Sequence, residues 1–311
     1  MRLFSAEEKI LGNARWSDAD YTSYAKSTNY RSASRDEVFS HRINEKLDPR
    51  NVKVGKGDRV GLQLRESIIS DANPDPTPII LGLDVTGSMR DVVEQIAKDE
   101  LPKMMTEIHA RSVVSDPHVM FMGLDDVHCQ GHGALQVSYF EPDLKIIEQL
   151  RKLWLVGNGG GNGSESYDLA WYFAGRYTYL ENFEKTGKPG FLFTFGDEPF
   201  PVETNSVREL QTIFGPGEYE PTSPLACLKM AQHKFQVFHV SIVKGGYDLS
   251  GWDKNLGNNH LRVQARDVGH LAEVVLATMQ IANGADIHEV ISAYKDPEVM
   301  KRAFANALRS E

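Results

Sequence analysis

Residues 78–90 read Pro-Ile-Ile-Leu-Gly-Leu-Asp-Val-Thr-Gly-Ser-Met-Arg, and this stretch decides the fold. Its apolar run, residues 79–83, is typical of a strand that is buried on both faces. Asp84, Thr86 and Ser88 follow the run, and helical periodicity begins after them. These residues are therefore predicted to lie between the carboxyl end of a strand and the start of a helix, where open α/β sheets bind ligands.

One acid and two hydroxyls in a single turn suit a hard cation, because Mg²⁺ prefers octahedral coordination by oxygen. The spacing Asp84-x-Thr86-x-Ser88 resembles the D-x-[ST]-x-S signature of the von Willebrand factor A (VWA) domain. In that family these positions form a metal-ion-dependent adhesion site. The resemblance covers roughly residues 76–284. Within the family, the chain resembles a bacterial and phage group of VWA proteins whose Gly-rich loop precedes Glu-Ser-Tyr.

Apolar runs and helical periods alternate along the rest of this region, which predicts a mainly parallel sheet with right-handed crossovers. The resemblance implies the same class, a three-layer, doubly wound, Rossmann-like α/β fold. Strands are predicted at 118–125, 134–140 (an edge strand), 191–195, 235–243 and 261–263. Helices are predicted from residue 91 with a kink near Pro102, and at 144–155, 168–179, 225–233 and 271–282.

The Pro-rich stretch 73–78 marks a predicted domain boundary. Residues 1–75 are interpreted as a partly irregular N-terminal extension, 76–284 as the VWA domain and 285–311 as a C-terminal helical segment divided near Pro297. Within the extension, capping boxes at Ser5 and Ser34 predict helices, the second of them reaching residue 47. A short hairpin is predicted around residues 55–58.

The VWA resemblance implies two further metal loops. The second corresponds to residues 159–167, Gly-Gly-Gly-Asn-Gly-Ser-Glu-Ser-Tyr, where the usual Thr is not recognisable. Asn162, Ser164 and Glu165 are the available oxygen donors there, and the sequence does not choose among them. The third loop is clearer, because the apolar run at 191–195 ends in Gly-Asp, with Asp197 as the acid.

The expected cation is Mg²⁺ or another hard divalent ion such as Mn²⁺ or Ca²⁺. Asp84 and Asp197 together would neutralise it, and an open coordination position would accept an acidic side chain from a partner protein. The resemblance implies a metal-mediated protein–protein interaction module without catalysis. It also implies an adaptor role beside AAA+ ATPases of the MoxR type.

Composition narrows the classes of partner. The net charge is −9; residues 1–70 hold 13 Lys/Arg against 10 Asp/Glu, a balance of +3, and the other 21 and 33 give −12. An acidic body argues against nucleic-acid binding, and the basic extension is compatible with packing on that body. The sequence contains no run of about 20 apolar residues, so no membrane span is predicted. Two cysteines are too few for a disulfide scaffold, so the expected location is the cytoplasm.

The residues fit other chemistries less well. The loop at 157–164 lacks the Lys of a nucleotide-binding P-loop. Thr86 stands where a haloacid-dehalogenase-type phosphatase needs a second Asp, and no G-x-S-x-G elbow is present. His128, Cys129 and His132 have side chains that suit zinc, but no fourth ligand is identifiable.

Two alternative functions remain open at this stage. One is a metal-dependent hydrolase of a phosphate or similar ester, which needs a general base beside the cation. The other is a structural assembly subunit in which residues 1–75 act as a swapping arm.

Overall fold

A six-stranded sheet forms the centre of the protein in the computed structural model, which describes residues 15–51, 64–156, 165–245 and 248–310. The strands are β1 (Arg65–Ser67), β2 (Thr77–Asp84), β3 (Pro117–Leu124), β4 (Leu135–Val137), β5 (Thr178–Leu180), β6 (Gly190–Gly196), β7 (Phe235–Val243) and β8 (His260–Gln264). The sheet has the order β4-β3-β2-β6-β7-β8, and β1 pairs with β5 in a separate parallel sheet.

The strand order identifies a doubly wound sheet. All pairs within it are parallel except β3 with β4. If the six strands are counted along the chain, their spatial order is 3-2-1-4-5-6, the order of Rossmann-like sheets. The order reverses between β2 and β6, so a crevice for a ligand is expected at the carboxyl ends of these two strands. The predicted fold class is confirmed.

Helices cover both faces of this sheet. They are α1 (Asp18–Ser27), α2 (Arg35–Val38), α3 (Arg90–Gln95), α4 (Leu101–Arg111), α5 (Val127–Gln130), α6 (Lys145–Leu150), α7 (Tyr167–Tyr177), α8 (Glu181–Thr186), α9 (Val207–Phe214), α10 (Pro224–Gln232), α11 (Ser250–Leu256), α12 (Leu271–Ala282), α13 (Ile287–Ser292), α14 (Pro297–Ala303) and α15 (Ala305–Arg309). Within the described ranges, no helix combines the length and the apolar character of a membrane span.

The strand alternation of β2 separates two apolar cores. Ile79, Leu81 and Leu83 face one core, together with α3, α4 and α12. Ile80 faces the other, together with α7, α9 and α10. β2 is buried along its whole length, as a central strand between two helical layers must be.

The terminal segments join the first core. Trp16, Tyr24, Tyr30 and Leu47 are buried there with α4, and so are Met300 and Phe304 of the C-terminal helices. The described part of residues 1–75 therefore packs on the body, an arrangement with which its basic charge is compatible. The domain boundaries themselves stay predictions.

The irregularity predicted near Pro102 is a π-helical turn, Ile96–Glu100, which joins α3 to α4. Leu101 donates its N–H to the Ile96 carbonyl, the i−5 partner of a π-helix. Pro102 has no N–H for the next carbonyl in this register, Ala97, or for Lys98 in the α-helical register. Tyr30 and Tyr21 supply the missing donors: the Tyr30 hydroxyl lies 3.1 Å from the Ala97 oxygen and the Tyr21 hydroxyl 3.3 Å from the Lys98 oxygen.

Several predicted boundaries are corrected. The helix from Ser34 begins at its capping box but ends at Val38, because the chain becomes extended at Phe39 and Ser40 pairs with Trp154. The helix at 144–155 is only α6, since the same pairing holds the following residues extended. The edge strand at 134–140 is three residues long, and the C-terminal segment forms three helices. The helix at Ser5 and the hairpin around 55–58 lie outside the described residues.

Candidate metal centre

Asp84, Thr86, Ser88 and Asp197 meet where the strand order reverses. Asp84 is the last residue of β2, and Asp197 directly follows β6, the strand paired with it. A 3₁₀ turn, Gly87–Met89, then leads from the loop into α3. Three of these side chains are buried, with Asp84 at 0%, Thr86 at 1% and Asp197 at 2% exposure, whereas Ser88 is exposed. The cluster therefore opens to solvent at Ser88.

Each hydroxyl of the first loop donates its proton to a carboxylate. Thr86 Oγ1 lies 2.6 Å from Asp84 Oδ1, and the Thr86 backbone N–H donates to the same oxygen at 2.9 Å. Ser88 Oγ donates to Asp197 Oδ1 at 3.0 Å. The second oxygen of Asp84 accepts from the Tyr167 hydroxyl at 3.0 Å. These bonds fix the acids and leave the lone pairs of both hydroxyl oxygens free for another ligand.

Two further acids lie in the field of Asp84. Burial raises the pKa of Asp84 to about 7, with Thr86 hydrogen bonds opposing this effect and Asp197 adding to it. Burial and the charges of Asp84 and Asp126 raise the pKa of Asp125 to about 7. The pKa of Glu165 rises to about 10, again mainly through burial and then through Asp84 and Asp125. Burial and mutual repulsion thus disfavour the ionised forms of these acids unless a positive charge lies close to them.

Unpartnered oxygens identify where a cation would be stabilised. Among the described residues, Asp125 Oδ2, Glu165 Oε2 and Glu198 Oε2 are buried without a hydrogen-bond partner. A buried carboxylate oxygen without a donor is costly, and a cation is one group that removes the cost. The described side chains contain no group of three or more His, Cys, Asp or Glu residues that could hold a metal ion by themselves.

An ammonium group also reaches the cluster. Lys244 follows β7, and its Nζ lies 2.8 Å from Asp197 Oδ2. The same Nζ donates to the Ser88 carbonyl oxygen. No sequence motif indicated this lysine, because its place beside Asp197 follows from the pairing of β6 with β7.

Aromatic packing supports the acids from below. Tyr167 is the first residue of α7, and its ring packs edge-on against His239 and Trp252 at centroid distances of 5.1 and 5.5 Å. His239 stacks on Trp252 at 3.4 Å, and its Nδ1 lies 2.8 Å from Thr194 Oγ1. Burial and His260 hold the pKa of His239 well below its usual value, so the ring stays neutral. Tyr167 lay within the predicted loop at 159–167, but its bond to Asp84 was not foreseen.

The other predicted donors have separate outcomes. Glu165 lies among the acids described above. Ser164 and Asn162 lie outside the described residues, so the choice within the second loop stays open. Of the three residues whose side chains suit zinc, His128 contacts Glu203 and Glu209 at 2.7 and 3.0 Å. The side chains of residues 129 and 132 are not among those described.

Comparison with protein-family models and with curated proteins gave no match. Among solved structures, the chain is similar to the open conformation of the pilus adhesin SpaC from Lactobacillus rhamnosus GG, with a TM-score of 0.44 and 10% identity over 70% of this chain and 31% of the adhesin. It is also similar to a von Willebrand factor type A protein from Catenulispora acidiphila, with a TM-score of 0.39 and 16% identity over 68% and 44% of the two chains. A third similar structure is the conserved hypothetical protein BatB from Bacteroides thetaiotaomicron. Its TM-score is 0.39, with 13% identity over 67% of this chain and 98% of BatB.

The chain thus spans about a third of the length of the adhesin. At these scores and identities, the assignment of the fold rests on the chain itself. Its sheet order places the Asp84 loop and the Asp197 loop side by side at the reversal point. The chain has a VWA-like fold, a doubly wound sheet with acid-bearing loops at the carboxyl ends of its two central strands.

Proposed function

We propose that this protein is a protein–protein interaction module that binds a carboxylate of its partner through a divalent cation. One observation carries the proposal: Asp84, Thr86, Ser88 and Asp197 converge at the reversal point. The Thr86 and Ser88 hydroxyls each donate a hydrogen bond to a carboxylate, which leaves the lone pairs of their oxygens for a cation. Such oxygens are neutral ligands, so the cation would stay electrophilic toward an anionic group.

The spacing of the hydroxyls fits this role. Thr86 Oγ1 and Ser88 Oγ are 3.4 Å apart. Neighbouring ligands of an octahedral ion lie about 3.0 Å apart for Mg²⁺ and about 3.4 Å apart for an ion with bonds of about 2.4 Å, such as Ca²⁺. Mg²⁺, Mn²⁺ and Ca²⁺ are therefore all proposed candidates, and a small inward movement of Ser88 would favour the smaller ions.

The second loop would complete the donor set. Glu165 has a buried oxygen without a described partner, so we propose it as a ligand or as a charge that stabilises the cation from nearby. Ser164 is proposed on its chemistry alone. The bound cation would supply positive charge between Asp84 and Asp197 and an open position for the partner's acidic side chain.

A binding role is proposed in preference to hydrolysis. Hydrolysis needs a general base within reach of the cation. In the part of the chain that the structure describes, no histidine hydrogen-bonds to Asp84, Thr86, Ser88 or Asp197, and His239 is sealed beneath the site. An adaptor role beside a MoxR-type AAA+ ATPase in the cytoplasm remains part of the proposal, on the VWA resemblance alone.

The first test is the substitution Asp84→Asn. It keeps the size of the side chain and one acceptor oxygen for Thr86, puts an N–H donor in place of the oxygen that accepts from Tyr167, and removes the charge that a cation needs. Mg²⁺ at a hundredfold excess over its Kd should stabilise the wild type by about 2.7 kcal/mol, a rise in Tm of about 5 °C. The variant should show no Mg²⁺-dependent rise in a thermal-shift assay.

Glu218→Gln is the matched control, because Glu218 is exposed and distant in sequence from every proposed ligand. It should respond to Mg²⁺ like the wild type. An equal response of Asp84→Asn and the wild type would reject the metal site. Affinity capture of partners from the native host, with and without chelator, tests whether partner binding depends on the metal. Partners that remain bound in chelator would contradict metal-mediated binding.

A further inference from the structure

Lys244 occupies a position that the proposed function does not explain. Its ammonium contacts Asp197 Oδ2 at 2.8 Å and also binds the carbonyl oxygen of Ser88. The side chain of Asp197 is 1% exposed, and that of Lys244 is 30% exposed. A positive charge from the chain itself therefore meets a buried acid of the cluster on its solvent side.

This contact has a direct electrostatic cost for a metal. Asp197 also accepts the Ser88 hydroxyl that would face the cation, so the ammonium and the cation would share one carboxylate. Two positive charges a few ångströms apart repel each other even at a site that is partly open to water. The carboxylate that lowers the energy of one charge is then less available to the other.

The position of Lys244 in the chain permits its ammonium group to move away from Asp197. It follows the last residue of β7, outside the strand pairing, and the next residue, Gly245, has a φ of 98° with nothing within 4 Å of its added Cβ. The lysine side chain is long and partly solvated, so its ammonium can turn to water without moving β7. Asp197, by contrast, directly follows the buried strand β6, and its side chain is buried.

We propose that Lys244 is an internal competitor of the divalent cation. It compensates the charge of Asp197 when no metal is bound, and it weakens metal binding when the cation arrives. The inference rests on the proposed function, since it concerns the same site. It adds that the metal affinity is set by a residue that is not a ligand.

The test measures Mg²⁺ binding by isothermal titration calorimetry on the full chain after removal of metal with a chelator. Lys244→Met should bind Mg²⁺ roughly tenfold tighter than the wild type, because the competing charge is gone. Without metal its Tm should be lower than that of the wild type, since Asp197 loses its partner. Mg²⁺ should therefore raise the Tm of the variant by more than that of the wild type.

Three further variants make the result specific. Lys244→Arg keeps the charge and should keep the wild-type affinity. Lys229→Met removes an exposed charge on α10 and should also bind as the wild type does. Lys244→Gln keeps a donor for the Ser88 carbonyl, and it replaces Lys244→Met if that variant does not fold.

The outcomes separate the two hypotheses. If the wild type binds Mg²⁺ and Lys244→Met binds equally or more weakly, the competitor role is wrong and the metal site stands. If Lys244→Arg binds as tightly as Lys244→Met, charge is not the cause and the inference also fails. If neither the wild type nor any Lys244 variant binds Mg²⁺, the proposed metal site itself is wrong, and the inference falls with it.

Discussion

Gly196 ends β6 in direct contact with the ring that supports Asp84. A Cβ added to this glycine would lie 1.8 Å from the Tyr167 hydroxyl oxygen and 2.4 Å from its ring carbon Cζ. The Tyr167 hydroxyl in turn donates to Asp84 Oδ2. Close approach therefore requires glycine at this position, and it couples the end of β6 to the acid at the end of β2.

We expect Gly196→Ala to displace Tyr167 from Asp84. Overpacking of a buried site costs about 1–3 kcal/mol, and the free energy of unfolding in denaturant would measure it. The Mg²⁺-dependent rise in Tm should shrink as well, because Asp84 loses one of its fixed bonds. Tyr167→Phe, which removes the hydroxyl without a clash, should reproduce the weaker metal response with a smaller loss of stability.

Gly269→Ala is the control for a simple loss of backbone freedom. The nearest atom to its added Cβ is Gln95 Nε2 at 3.4 Å, an ordinary contact. It should leave the metal response unchanged. Wild-type stability in Gly196→Ala would show that Tyr167 can move without consequence for Asp84.

At the scale of residues, the sequence predicts best what lies close together in the chain. Asp84, Thr86 and Ser88 stand within five residues, and their spacing was sufficient to predict a shared turn. Asp197 followed from an apolar run that ends in an acid. Lys244 and Tyr167 carry no such local signal, because their contacts depend on which strands become neighbours.

The helical segment that follows the Asp84 loop is hydrogen-bonded to residues of the N-terminal extension. Pro102 has no N–H to donate to the Ala97 or Lys98 carbonyl at the π-helical turn. The Tyr30 hydroxyl donates to the Ala97 carbonyl instead, and the Tyr21 hydroxyl donates to the Lys98 carbonyl. Ion pairs of Arg35 with Asp91 and Glu94 lie along the same contact. These surface pairs contribute little, so the tyrosines are expected to matter more.

We expect Tyr30→Phe to destabilise the protein by about 1 kcal/mol or more, since it leaves the Ala97 carbonyl without a partner in a buried position. Pro102→Ala returns a backbone N–H that can reach this carbonyl. Tyr30→Phe should therefore cost less in the Pro102→Ala background. Denaturant unfolding of the wild type, both single variants and the double variant gives the coupling energy directly.

The same set of four proteins can also contradict this prediction. Equal costs of Tyr30→Phe in both backgrounds would mean that the tyrosine does not compensate for the proline. Its contribution would then come from packing in the core alone.

Elements with strong patterns were predictable, and elements that depend on distant partners were not. The strand β7 and the helix α12 have the predicted bounds, because a continuous apolar run and a regular helical period define them. The β1–β5 pair has only three residues on each side and joins parts of the chain far apart. The helix α2 stops early because Ser40 pairs with Trp154, a contact that no local propensity encodes.

At the scale of the whole molecule, the described part of the N-terminal extension shares one apolar core with the body of the protein. Residues 15–51 place six large apolar side chains in the core that contains α4, namely Trp16, Tyr24, Tyr30, Val38, Phe39 and Leu47. Burial of each such side chain stabilises a protein by about 1.5–3 kcal/mol before entropy is counted. Their sum is comparable with the net stability of about 5–15 kcal/mol of a typical domain.

A fragment of residues 76–311 should therefore lose cooperative unfolding or aggregate. Circular dichroism on heating and size-exclusion chromatography with light scattering would show this. A fragment that begins at residue 15 keeps the described contacts and serves as the control. If the fragment of residues 76–311 is monomeric with the Tm of the full chain, the N-terminal segment is dispensable for the fold.

Both edges of the central sheet are closed in the part of the chain that the structure describes. At β4, the Val137 N–H donates to the Leu47 carbonyl at 2.7 Å, and the Arg65 guanidinium donates to the carbonyls of Val137 and Ser138 at 3.1 and 2.7 Å. At β8, helices α14 and α15 pack alongside the strand. Within the described residues, neither edge of the central sheet is therefore open for a partner to add a strand of its own. We therefore expect a partner to dock against the loops at the carboxyl ends of the strands and not to extend the central sheet.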